Sequence, residues 1–130
     1  VFGWLTGKGG GKVHSTRCAV CDRMAAEARL SKADGGWRLV YFGIVWGTGA
    51  KGAAVSDARA QAVRKAFKPP WRAEAFNGAG LHDLAGICTQ CAKPYCWVHW
   101  GQPVGGEGRC PQGHFQDLDP HFDADWGDDA

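Results

Sequence analysis

Four short Cys/His pairs constrain this chain more than any other feature: Cys18-x2-Cys21, Cys88-x2-Cys91, Cys96-x2-His99 and Cys110-x3-His114. A gap of two or three residues lets two side chains converge on one ion from a single tight turn. Zinc takes four such ligands at about 2.0–2.3 Å, and a structural site is closed, with no position left for water. Four pairs make two closed sites and use all 6 cysteines. Two Zn2+ ions held by Cys18, Cys21, Cys88, Cys91, Cys96, His99, Cys110 and His114 are therefore expected. Three disulfides are the competing reading, but they leave the positions of His99 and His114 without a purpose. A redox role is disfavoured, because neither Cys18 nor Cys88 sits in a thioredoxin-like pattern.

Two pairings are open. In the sequential one, Cys88, Cys91, Cys96 and His99 share an ion, and Cys18, Cys21, Cys110 and His114 share the other. In the interleaved one, slightly favoured, the first pair joins the third and the second joins the fourth. The run from Cys88 to His114, with Cys18 and Cys21, resembles the treble-clef and cross-brace zinc modules of the RING, PHD and FYVE families. Tyr95 before Cys96, and Trp97 and Trp100 around His99, are similar to that group as well. The resemblance implies a small zinc-stabilised α+β domain with a protein-interaction surface. RING-like modules bind ubiquitin-conjugating enzymes, PHD fingers bind histone tails, and FYVE domains bind phosphoinositide lipids. The 66 residues between Cys21 and Cys88 then require an inserted strand and helix, at about residues 37–68, packed beside the zinc core.

The 130-residue length suits one domain, and 20 glycines with a single methionine leave a core that must lean on aromatics and on a metal staple. Residues 1–16, with Gly7, Gly9, Gly10 and Gly11 between lysines, read as a flexible basic arm. The zinc-binding domain is expected over residues 17–116. Within it, Asp22 to about Lys32 reads as a helix with Asp22 as N-cap and Met24, Ala25 and Ala28 on a narrow apolar face. Residues 37–46, WRLVYFGIVW, read as a strand covered on both faces. Ser56 caps a helix running to Phe67, whose buried face is Ala58, Ala62, Val63, Ala66 and Phe67, and Pro69-Pro70 stops it. Residues 71–87 read as irregular. Residues 117–130 read as an acidic tail, ordered only at its start.

Charge is divided along the chain. Residues 1–72 hold 13 Lys and Arg against 4 Asp and Glu, whereas residues 73–130 hold 2 against 9. Arg59, Arg64, Lys65 and Lys68 cluster on and after one helix and are candidate nucleic-acid contacts. Gly47 to Gly52 fits GxGxxG, but a dinucleotide fold needs more parallel strands than this chain has room for. Thr6 to Lys12 only evokes a P-loop, since Val13 stands where Ser or Thr is needed. His14-x3-Cys18-x2-Cys21 matches part of the zinc-binding anti-sigma motif, so His14 is an alternative ligand. His82 and His121 have no partner in sequence. No catalytic set stands out, and two closed sites give no open position for a zinc-bound water. The start, Val-Phe-Gly-Trp-Leu-Thr, lacks both a basic and a long apolar region, so no secretory signal is expected, and a cytoplasmic setting is. No membrane association is expected. The expectation is a non-enzymatic zinc adaptor with a protein partner; a nucleic-acid-binding zinc protein and a RING-like accessory factor of a ubiquitin-like conjugation system are the alternatives.

Overall fold

The computed structural model describes residues 12–103 and 106–119. Its frame is an antiparallel sheet of four strands in sequence order, β1 (Lys12–Arg17), β2 (Met24–Ala33), β3 (Gly36–Phe42) and β4 (Ala53–Val55). Strand β2 replaces the helix expected from Asp22 to Lys32. That segment is rich in helix formers, but Ala26, Ala28 and Leu30 alternate with Glu27, Arg29 and Ser31, which is the period of a strand with one buried face. The first three are buried. Pairing on both edges, with Ala28 opposite both His14 and Tyr41, overrides a weak local preference. Lys12 to Thr16, read as the end of a flexible arm, pair with β2; residues 1–11 lie outside the described residues.

Strand β3 is shorter than expected, and only one of its faces is covered. Leu39 and Tyr41 are buried, while Phe42 is exposed. It stops at Gly43, where a Cβ would strike the Asp83 carboxylate. The GxGxxG run is part of the hairpin connection from β3 to β4. Gly52, at φ +75°, lies against the Leu39 carbonyl, so a side chain there would be both strained and obstructed.

Helix α1 (Asp57–Ala66) starts where expected, with Ser56 Oγ accepting from the Arg59 amide at 3.1 Å. Its buried face is Ala60, Val63 and Ala66, continued by Phe67, whereas Ala58 is exposed. Ala60, Val63 and Ala66 of α1 share one buried cluster with Leu39 and Tyr41 of β3 and Ala26 and Ala28 of β2. A second helix, α2 (Ala73–Gly78), and a 3-10 turn (Leu84–Gly86) occupy the stretch read as irregular. Phe76 packs edge-on against Phe67, with ring centroids 4.9 Å apart. The sheet, α1 and α2 enclose the larger core. The insertion between the first two pairs is thus three strands and two helices, not one of each.

The rest of the chain forms two hairpins, β5 (Ile87–Cys88) with β6 (Lys93–Pro94) and β7 (Glu107–Arg109) with β8 (Phe115–Asp117). They surround a second core of Cys18, Ala25, Ile44, Cys88, Tyr95, Cys96, Trp100, Cys110 and Leu118. Trp100 is completely buried and donates from Nε1 to the Gly86 carbonyl at 3.0 Å. Leu118, inside the segment read as an acidic tail, is also fully buried; residues 120–130 lie outside the described residues. Two buried polar side chains tie the sheet to the segment around the 3-10 turn. Thr16 Oγ1 donates to the Ala85 carbonyl at 3.0 Å. Tyr41 donates its hydroxyl to the Asp83 carboxylate, at 2.7 and 2.9 Å from its two oxygens.

Asp83 is fully buried, and burial pushes its carboxyl up to about 7, with the Asp119 charge adding to the effect and the Tyr41 hydrogen bond opposing it. The folded chain therefore holds this proton more tightly than the unfolded chain does. That contribution to stability is complete below the unfolded value near 4 and is lost as pH rises through about 7. Asp83→Asn should remove this dependence. Denaturant unfolding at constant metal saturation from pH 6 to 8 tests it: the wild-type midpoint should fall relative to the variant, and parallel profiles would refute the assignment.

Candidate metal centres

The eight Cys and His side chains of the four pairs come together as two groups, Cys18, Cys21, Cys96 and His99, and Cys88, Cys91, Cys110 and His114. Within each group all four ligand atoms lie within 4.8 Å of one another. The pairing is interleaved: first with third, second with fourth. Each group is three sulfurs and one imidazole nitrogen, and in both groups that nitrogen is Nδ1.

The spacing fits a tetrahedral ion. Arms of about 2.3 Å to sulfur and about 2.0–2.1 Å to nitrogen separate two sulfurs by about 3.8 Å and a sulfur from a nitrogen by about 3.5 Å. In the first group, Cys21 and Cys96 Sγ are 3.6 Å apart, and His99 Nδ1 lies 3.4 Å from Cys18 Sγ and 3.3 Å from Cys96 Sγ. In the second, Cys91 and Cys110 Sγ are 3.7 Å apart, and His114 Nδ1 lies 3.7, 3.4 and 3.4 Å from Cys88, Cys91 and Cys110 Sγ. Sulfurs at these distances are not disulfides, which need about 2.05 Å, and all six cysteines are free. Each group could hold one metal ion.

Local backbone geometry aims the ligands. The two residues between the cysteines differ in type, Ala19-Val20 in the first turn and Thr89-Gln90 in the second, yet both turns close the same way. The residue after the second cysteine donates its amide to the carbonyl of the first, Asp22 to Cys18 at 2.9 Å and Ala92 to Cys88 at 2.7 Å. Both residues have positive φ, 64° for Asp22 and 61° for Ala92. Asp22 is therefore part of a metal-ligand turn, not a helix cap. Amides inside the turns also point at sulfur: Val20 to Cys18 at 3.4 Å, Cys91 to Cys88 at 3.5 Å, and Gln112 and His114 to Cys110 at 3.3 and 3.4 Å. Burial opposes ionisation of Cys18 and Cys110, but donated backbone amides outweigh it and bring these thiols down to about 6 and about 7. Burial dominates at Cys88 and Cys96, whose thiols are pushed up.

Residues outside the pairs fix the groups relative to each other. Ala19, in the first turn, donates its amide to the Pro94 carbonyl of β6 at 2.8 Å. Gln116 of β8 accepts from the Thr89 amide at 2.9 Å and donates to the Ile87 carbonyl at 2.8 Å, clamping the second turn to the fourth. Gln116 went unnoticed in the sequence because a lone exposed-type amide carries no pattern. Trp100 packs between the hairpins, edge-on to Tyr95 at 6.0 Å between centroids.

The remaining histidines lie apart from the groups. His14 is on β1, its ring centroid 6.1 Å from that of Phe67. His82 pairs through Nδ1 with Asn77 Oδ1 at 2.7 Å, and His121 lies outside the described residues. Of the four cations on and after α1, the structure brings Arg64, Lys65 and Lys68 together around one cavity and sends Arg59 elsewhere, over Gly80. Among the described residues, no helix is long and apolar enough to cross a membrane. Comparison of the chain with protein-family models, with curated proteins and with solved structures finds no match.

The left-handed position at Ala92 costs an L-residue about 1–2 kcal/mol, whereas Asp tolerates it better and Gly occupies it freely. Ala92→Gly should therefore raise stability by up to about 1 kcal/mol once the greater unfolded-state freedom of Gly is subtracted. Asp22→Gly should gain less. Thermal unfolding of metal-loaded protein checks this; a loss on Ala92→Gly as large as Gly costs in a helix would contradict the turn geometry.

Proposed function

We propose that this chain is a zinc-stabilised, non-catalytic interaction module with one ion in each Cys3His group. Three thiolates and an imidazole at tetrahedral spacing suit Zn2+, and a site with four protein ligands is closed to substrate. The ions are structural: they join segments that the small apolar cores alone hold weakly, and their binding free energy becomes folding free energy. The interleaved pairing supports a likeness to cross-brace modules, whose surfaces serve binding.

One observation carries the interaction role. The first group is rimmed by apolar side chains, with Val20 55%, Met24 46%, Trp97 44% and Val98 43% exposed. Val20 fills the gap of the first pair, and Trp97 and Val98 fill the gap of the third, so they meet around one ion. The gaps of the second group instead hold Thr89, Gln90, Pro111, Gln112 and Gly113, and the exposed apolar side chain beside that group, Phe115, stands singly with the Arg109 guanidinium 5.3 Å from its ring centre. A closed structural site needs no apolar rim, and clustered exposed apolar side chains mark contact surfaces. The rim fits a protein partner that presents an apolar side chain, as a RING-like accessory factor would require.

Native mass spectrometry should find two zinc ions per chain, and complete chelation should abolish the native circular dichroism signal in one cooperative step; a metal-free chain with native dichroism would refute the structural role. The interaction role is tested separately. Val20→Asp and Val98→Asp should keep both ions and lose any partner captured by the wild-type chain. A partner retained by both variants would place the contact elsewhere.

A further inference from the structure

Strand β1 and the end of α1 together enclose a cavity of about 290 Å³ lined by Lys12, His14, Arg64, Lys65, Phe67 and Lys68. Four of these six are cations and none is a carboxylate. The two ion pairs among the described residues, Arg17 with Asp22 and Arg29 with Glu27, use none of the four. Arg64 and Lys65 also sit in the last turn of α1, where basic side chains commonly answer the helix dipole. That ordinary role does not account for Lys12 and His14, which come from a different element. His14 Nε2 is buried with no hydrogen-bond partner. Burial, Arg64 and Lys12 all lower its pKa, so the ring is neutral at physiological pH and can donate from one nitrogen.

The positive surface continues beyond the cavity. The Arg64 guanidinium lies 4.4 Å from the centre of the Trp37 ring, and the Lys32 ammonium lies 4.8 Å from it. The Asp57 carboxylate also sits here, accepting from Trp37 Nε1 at 2.9 Å, with its pKa lowered by that hydrogen bond and by Lys32 and Arg64, so the positive surface ends at Trp37. From the cavity to Trp37 the surface thus offers positive charge along a line, which matches a phosphodiester backbone and carries little sequence information.

We propose that this cavity binds the phosphates of a nucleic-acid single strand, with Lys12, Arg64, Lys65 and Lys68 contacting phosphate oxygens and the His14 ring packed beneath them. This site stands apart from the metal rim. The chain runs from Lys12 through β1 to Cys18, about 20 Å at strand rise, so a protein partner on the rim and a strand in the cavity occupy opposite ends of the same strand. The inference does not depend on the rim having a partner.

The test uses the full, zinc-loaded chain and a fluorescently labelled single-stranded oligonucleotide of mixed sequence, with binding followed by anisotropy between about 50 and 200 mM salt. Four phosphate contacts on a single strand give a slope of log K against log salt of about −3, at roughly −0.7 per contact. Lys65→Glu with Lys68→Glu should bring the slope to about −1.4 and weaken binding tenfold or more. Both lysines are exposed, and a retained zinc count and native dichroism show that the double variant folds. Arg29→Glu with Arg38→Glu makes the same charge change on the opposite face of the sheet and should have a small effect. Equal weakening by the two double variants would overturn the proposal in favour of diffuse charge. So would absence of strand binding at the lowest salt, or a phosphopeptide or inorganic polyphosphate binding more tightly than the strand.

Discussion

The convergence of three sulfurs and one imidazole nitrogen at each of two points is the interaction on which the remaining architecture depends. Neither hairpin beside the groups is long enough to persist alone: β5 and β6 have two residues each, and β7 and β8 have three. Paired strands this short are marginal in water without a partner surface or a cross-link. The ligand geometry supplies the cross-link, and Trp100, Tyr95 and Leu118 fill the space between the two groups. The larger core is of another kind, an apolar cluster that joins alanines of β2 and α1 with Leu39, Tyr41, Phe67 and Phe76. The first group ties the sheet to the second core, because Cys18 follows directly on β1 and shares its group with Cys96, beside Tyr95 and Trp100.

The ligands were legible in the sequence because metal chemistry imposes its own spacing. Two residues between donors is a local rule, and it survives whatever the rest of the chain does. The expectation failed where two local rules competed. Cys21-Asp22 followed by Arg-Met-Ala-Ala-Glu-Ala reads as a capped helix by propensity, yet the alternation from Ala26 to Ser31 was the better guide, since burial follows the strand period. Asp22 takes a left-handed conformation because the turn must bring the two sulfurs to one side, and no propensity scale encodes that demand. Helix α1 was easier to recognise: Ser56, the apolar spacing and Pro69-Pro70 all agree. The ladder pairing β1 with β2, and the contacts of Asp83, Gln116 and Leu118, depend on residues distant in sequence, so nothing local announces them.

Charge was legible only as composition. The basic first half and acidic second half are visible at once, but which cations share a surface depends on helix phase and on strand register. The 140° that separates Arg59 from Arg64 on an ideal helix, at about 100° per residue, sends them to different surfaces. Lys12 and His14 reach the end of α1 only because β1 pairs with β2 in the register that sets His14 opposite Ala28.

Interleaving also sets the order in which the molecule can be completed as it leaves the ribosome. The second group spans residues 88 to 114, a short local stretch whose last ligand arrives soon after its first. The first group must wait from Cys18 until His99, by which time the whole sheet and both helices have emerged. Through that interval Cys18 and Cys21 can supply only half of a coordination shell, so the growing chain holds an incomplete site with two sulfurs exposed to any available metal or oxidant. The first shell closes with His99 and the second with His114, so neither shell is complete before His99 is made. Synthesis from one end to the other thus leaves both groups to be assembled late, when the sheet is already available to hold the first pair in place.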